Sequence, residues 1–192
     1  MGLDRSAALR ELGVGVATLP LEIHPEIPVG GISLEDRWRG RYGEAVAMYE
    51  RIEAECQAAG LPFARPAWVP NTRRALATAE WVRHQAPEAF DALERSFFAA
   101  QFVEQRPLDD PAVVDELVAA AGADSAAARV AYEAGEVDAA VRAAGVAAAS
   151  LGVRATPTWL IGGRRLVSGV VPRRVFADVV SRLTSSPAPG PS

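Results

Sequence analysis

LGVRATPTWLIGGRRLVSGVVP, residues 151–172, is the stretch on which the fold turns. Within it TPTWLIGGRRLVSG, residues 156–169, reads as a strand, a two-residue Gly162–Gly163 turn supplying the positive φ values of a hairpin, and a second strand. Beyond it, Val175, Phe176, Val179, Val180 and Leu183 share one helical face. The grammar upstream of Gly152 is different. From Ser33 to Leu151 the apolar residues recur at helical spacing and no hairpin signal intervenes.

Working back to the start, Leu3, Ala7, Ala8 and Leu12 predict a short helix that Gly13 ends. VGVATLPLEI, residues 14–23, reads as a strand in which Pro20 favours an edge or a bulge. HPEIPVGG, residues 24–31, is a punctuated loop. Ser33 and Asp36 make a capping box, and Gly40 and Gly43 break the helix it starts. Ala45, Met48, Tyr49, Ile52 and Cys56 form the next stripe, stopped by Gly60, and LPFARPAWVP (61–70) is irregular. Asn71 is placed to cap a helix with Ala75, Leu76, Ala79 and Val82 on one face. Pro87 opens another as its N1 residue, and Asp124 caps a shorter one. The tail SSPAPGPS, 185–192, is too rich in Pro and Ser to pack and is expected to be disordered.

The order is therefore α, β, a helical block, then β, β, α. A lone strand cannot satisfy its own backbone hydrogen bonds, so the strand at 14–23 must belong with the distant hairpin. This predicts an α/β unit of residues 1–31 and 152–184 interrupted by a helical insertion of residues 32–151. Two independent domains fit less well.

With 192 residues, 49% of them hydrophobic and 23% charged, the chain can bury a real core. The net charge of −4 argues against general nucleic-acid binding. Arg37, Arg39 and Arg41 sit beside Glu35 and Asp36 and read as a solvated helix face. No apolar run is long enough to span a bilayer, and the first residues lack the apolar core of a secretory leader. One cysteine cannot form an internal disulfide, which fits a reducing cytoplasm, and the expected location is cytoplasmic. Cys56 falls on an apolar stripe near a helix C-terminus, where the dipole opposes a thiolate, so a buried structural thiol is the better reading. His24 reads as a loop residue before Pro25 and His84 as a charge complement near a helix end. Two distant histidines and one cysteine offer no metal-ligand spacing, so no metal is expected.

LEIHPEIPVGGISLEDR, GLPFARPAWVPNTRRA and, above all, LGVRATPTWLIGGRRLVSGVVP resemble the DsbA-like thioredoxin family. They are most similar to its cytoplasmic branch. That branch groups polyketide-cluster dithiol oxidoreductases with 2-hydroxychromene-2-carboxylate isomerase and kappa-class glutathione transferase. The resemblance runs from about residue 3 to residue 184. It implies a thioredoxin-like α/β fold with a helical insertion. It implies an enzyme of thiol–disulfide exchange; glutathione-dependent isomerisation or transfer, or a non-catalytic binding module, are the alternatives.

By the same resemblance Pro157 is a cis proline preceded by Thr156, whose backbone meets an extended substrate. Asn71 lies near the substrate cleft as well as capping its helix. Leu76 stands where members often carry His. Members begin with a strand followed by C-x-x-C, or a Ser-type counterpart, at the first helix. Here the first strand and that motif are absent from the 192 residues, and the motif is expected upstream of Met1. These residues alone are therefore expected to be inactive. No tightly bound cofactor is implied, glutathione or another low-molecular-weight thiol being the candidate co-substrate. The implied partner is a thiol or disulfide substrate, protein or small molecule, and a homodimer is compatible with the resemblance.

Overall fold

A computed structural model describes residues 1–169 and 171–185. The backbone divides into two compact units, Met1–Thr18 with Gly152–Ser192, and Leu19–Leu151.

In the first unit, α1 (Gly2–Glu11) precedes β3 (Thr158–Ile161), β4 (Arg165–Ser168) and α9 (Arg173–Ser185). Trp159 and Ile161 are buried while Leu160 between them is half-exposed, as the period of two requires. Trp159 pairs across the hairpin with Val167. Its ring meets that of Phe176 edge to face at 4.9 Å, and Leu9 of α1 closes this small core. Gly162 and Gly163 both take positive φ, and Arg164 N–H donates to the Ile161 carbonyl at 3.2 Å. The turn has the expected centre, yet the ladder pairs Ile161 with Arg165. The loop is thus one residue longer than the Gly-Gly reading, with Arg164 as the extra residue.

Arg5 is buried in this unit and held on two sides. Its Nε donates to the Val171 carbonyl at 2.7 Å and its guanidinium pairs with Asp4. Asp4 also pairs with Arg173 at the start of α9, and that hydrogen bond holds its carboxyl below the usual carboxylate range.

Residues 14–23 correct the expectation of a strand. Val14, Val16 and Thr18 turn partly inward while Gly15, Ala17 and Leu19 face out, so the extended alternation is present. Yet no residue of the segment joins a ladder, because the described residues place no strand beside it. The division of the chain also falls after Thr18, not after residue 31. Residues 19–31 are tied to the helical unit, where Arg73 pairs with Glu22 at 2.9 Å and Asn71 holds the Ile27 carbonyl.

The second unit contains β1 (Ile32–Ser33), α2 (Leu34–Arg37), α3 (Tyr42–Ala58), β2 (Trp68–Val69) and α4 (Arg73–Gln85), then α5 (Pro87–Ala99), α6 (Pro111–Ala120), α7 (Ser125–Glu133) and α8 (Asp138–Ser150). Ser33 Oγ accepts from Asp36 N–H, and Asp124 caps α7 through Ala127 N–H. Pro87 occupies the first turn of α5. Helix α4 is packed by α5, α6, α7 and α8, so its buried residues, Ala75, Ala77, Thr78, Glu80 and Val82, lie on more than one face. Glu80 can be buried because Arg83 grips both its oxygens at 2.9 and 2.6 Å and His84 bonds it at 3.0 Å. Arg83 accordingly lowers the Glu80 carboxyl from its usual range.

Two features here had no counterpart in the sequence reading. The 61–70 stretch, read as irregular, contains β2, which pairs with β1 through Ile32–Val69 and Ser33–Trp68. Helix α5 runs on into a π-helical turn, Ala100–Glu104, ended by Gln105 at φ 55°. Ser185, at the head of the tail read as disordered, closes α9, and residues 186–192 lie outside the described residues.

Candidate functional site

Helix α1 brings its N-terminus against the Thr156–Pro157 loop. A Cβ built on Gly2 would touch the Pro157 ring at 3.5 Å, and the Thr156–Pro157 bond is cis. The Pro157 carbonyl accepts from Gly169 N–H at 2.8 Å, which ties the loop to the far end of β4. The paired ladder begins at Thr158, whose hydroxyl donates to the Ala155 carbonyl at 2.7 Å. Among the described residues neither main-chain group of Thr156 is used in a hydrogen bond, and Thr156 is exposed. An exposed N–H and C=O beside the positive end of a helix can receive an extended chain and stabilise a nearby anion.

Asn71 belongs to the other unit. Its Nδ2 donates to the Ile27 carbonyl at 2.6 Å, and its Oδ1 accepts from Arg73 N–H at 3.0 Å. The cap is therefore real, although the helix begins one residue later than a strict N-cap at Asn71 requires. The same amide pins the 24–31 loop to the start of α4. Asn71→Ala is expected to cost about 1–3 kcal/mol by removing both bonds. Asn71→Asp, which keeps the acceptor and loses the donor, should fall between it and the unaltered chain. Urea midpoints of the three proteins check the order.

Cys56 is buried at the last turn of α3, far along the chain from the α1 terminus. Leu76 is half-buried within α4. His24 joins Glu26 and Arg37 in an exposed cluster, with Glu26 Oε1 at 3.0 Å from His24 Nδ1 and 2.8 Å from Arg37 Nη2. Arg39 and Arg41 face Asp36 and Glu44, so each of the three clustered arginines has a carboxylate beside it. Glu26 and Arg37 around His24 escaped the sequence reading because their separation of 11 residues follows no periodic rule.

A family model described as the DSBA-like thioredoxin domain matches residues 2–181. The chain belongs to that family. Among curated proteins none matches. Among solved structures the chain is similar to a probable DsbA oxidoreductase from Streptomyces coelicolor, with a TM-score of 0.85 and 22% identity. That match covers 100% of this chain and 86% of the other. It is also similar to a candidate protein disulfide isomerase from Nitrosomonas europaea, with a TM-score of 0.64 and 15% identity, over 76% of this chain and 74% of that one. At these identities the likeness concerns the fold, which for this DsbA-like chain is the helix-rich thioredoxin-like α/β architecture. No helix among the described residues is long and apolar enough to cross a membrane.

Proposed function

We propose that this DsbA-like chain serves thiol–disulfide exchange, with the Thr156–Pro157 loop receiving the extended main chain of a thiol or disulfide substrate. The observation that carries this is the packing of Gly2, at the α1 terminus, against the Pro157 ring, beside Thr156, whose main-chain groups pair with no described residue. In such exchange a thiolate attacks one sulfur of a disulfide, a new S–S bond forms and the other sulfur leaves as a thiolate. A helix N-terminus favours the anionic sulfur at that point.

The 192 residues contain one thiol, the buried Cys56, and one thiol cannot cycle between dithiol and disulfide within a chain. The chain is therefore expected to give no turnover in an insulin-reduction assay, and turnover comparable to a C-x-x-C relative would contradict this. The loop's role has its own test. Oxidised glutathione, the smallest peptide disulfide to hand, should shift the amide resonances of Thr156 and of the first turn of α1. Shifts confined to other residues, or none by about 10 mM, would remove the reading. A clear preference for reduced over oxidised glutathione would favour the glutathione-dependent isomerase or transferase alternative.

A further inference from the structure

The net charge of −4 hides a division. The first unit, Met1–Thr18 with Gly152–Ser192, carries eight arginines against three carboxylates, Asp4, Glu11 and Asp178, a net charge of +5. The helical unit, Leu19–Leu151, carries twelve arginines against twenty-one carboxylates, a net charge of −9. The arginines are also used differently. Among the described residues, nine of the twelve in the helical unit have a carboxylate partner. In the first unit Arg5 and Arg173 have one, whereas Arg10, Arg154, Arg164, Arg165, Arg174 and Arg182 pair with no described carboxylate.

Four of these six have an ordinary structural use. Arg10 and Arg182 stand in the last turns of α1 and α9, where a cation complements the helix dipole. Arg164 and Arg165 stand at the hairpin turn, where charge blunts the exposed end of a sheet. Arg154 and Arg174 have no such use. Arg174 is exposed in the first turn of α9, the end at which the dipole disfavours a cation. Arg154 is exposed two residues ahead of Thr156, at most about 7 Å along the chain.

Both stand at one end of the unit. Gly169 N–H holds the Pro157 carbonyl at 2.8 Å, so β4 ends beside the loop and α9 starts from there. Arg173, next to Arg174, pairs with Asp4 in the first turn of α1, and Gly2 of that turn packs on the Pro157 ring. Asp4 serves Arg5 as well, and Glu11 reaches Arg173 at 3.5 Å, so the acidic groups here are already engaged. A chain laid against Thr156 therefore meets two guanidiniums that no described carboxylate neutralises, together with the positive end of α1.

We propose that the substrate chain received at Thr156 is acidic, with Arg154 and Arg174 pairing its carboxylates in the planar, two-point manner of a guanidinium. The inference rests on the reading of the loop given above and adds the chemical class of the polypeptide. A short acidic segment suits this surface better than a nucleic acid or an anionic membrane. Screening confines the attraction to about 8 Å at physiological salt, and an extended polyanion also meets the field of a chain whose net charge is −4.

The test uses the full chain and three heptapeptides, alike except that glutamate, glutamine or arginine flanks a central cysteine held as its S-methyl disulfide. Titrations follow the Thr156 amide resonance at about 20 mM salt. The glutamate peptide should bind about fivefold more tightly than the glutamine one, the factor that two exposed ion pairs of ordinary strength contribute. The arginine peptide should bind more weakly than either, and at about 0.5 M salt the three should converge. Arg154→Gln with Arg174→Gln should bring the glutamate peptide to the level of the glutamine one. Arg164→Gln with Arg165→Gln removes the same charge at the far end of the hairpin and should leave the preference in place. The Trp159 indole resonance reports an intact unit in both variants. No shift of Thr156 with any of the three peptides would remove the loop reading and this inference with it. Equal binding of the three would leave the loop reading standing and overturn the inference. So would a preference that survives in the Arg154–Arg174 variant or is lost equally in the Arg164–Arg165 variant. Displacement of the glutamate peptide by a short oligothymidylate would identify a polyanion site and overturn it too.

Discussion

Phe176→Ala is expected to destabilise the hairpin and its two helices by about 3–5 kcal/mol, the usual cost of emptying a buried phenylalanine site. Phe176 is fully buried, and it is the aromatic partner of Trp159 at 4.9 Å. The surrounding core is small, with Leu9, Ile161 and Val167 as its other buried members. A cavity there has few neighbours able to collapse into it, and a unit of this size has little stability to lose. The helical unit has a separate core built on Val82, Leu93 and Val118. In Phe176→Ala the Trp159 indole resonance should therefore move toward its unfolded position at a lower urea concentration than that of Trp81. A drop of less than about 1 kcal/mol would mean that the Trp159–Phe176 contact does not organise this unit.

Gly31→Ala should be the most damaging change in the 24–31 loop, at about 2–4 kcal/mol. Gly31 has φ 73°, and a Cβ there would fall on the indole nitrogen of Trp68 and 2.8 Å from the Val69 carbonyl oxygen. The indole could swing away. The carbonyl cannot, because Val69 is paired with Ile32, the residue that follows Gly31. Relief therefore requires breaking the β1–β2 pair. Gly30 is the built-in control. It too has positive φ, at 90°, but a Cβ added there meets nothing within 4 Å, so Gly30→Ala should carry only the conformational cost, about 1 kcal/mol. Urea midpoints of the two variants, with the Trp68 resonance as a local reporter, decide the matter. Equal losses would show that the close approach to Trp68 and Val69 is not what requires glycine at position 31.

Much of the architecture was legible because local signals agreed with one another. Ser33 with Asp36, Asp124, and Pro87 each mark a helix start where the chain makes one. The alternation in TWLI and RLVS places Trp159, Ile161 and Val167 inward, and two glycines sit at the centre of the turn. The strand expected at 14–23 shows the limit of the same method. Its inward and outward alternation is present, but a strand is a relation between two segments, and periodicity within one of them says nothing about its partner. That no described residue pairs with the Thr156 main chain is a tertiary fact of the same kind, since it depends on where the ladder with β4 begins.

The sequence by itself determined the helix starts at Ser33, Pro87 and Asp124, the place of the hairpin and the inward faces of its strands, because caps, glycines and apolar spacing act within a few residues. It also determined that there is one thiol, Cys56, on an apolar stripe. Only the tertiary structure decided what Asn71 does, since its amide spans 44 residues to the Ile27 carbonyl as well as capping its own helix. The same holds for the Pro157 ring set against Gly2. Such contacts join residues far apart in the chain, and no local preference encodes them; they follow from how whole elements pack to bury their apolar faces.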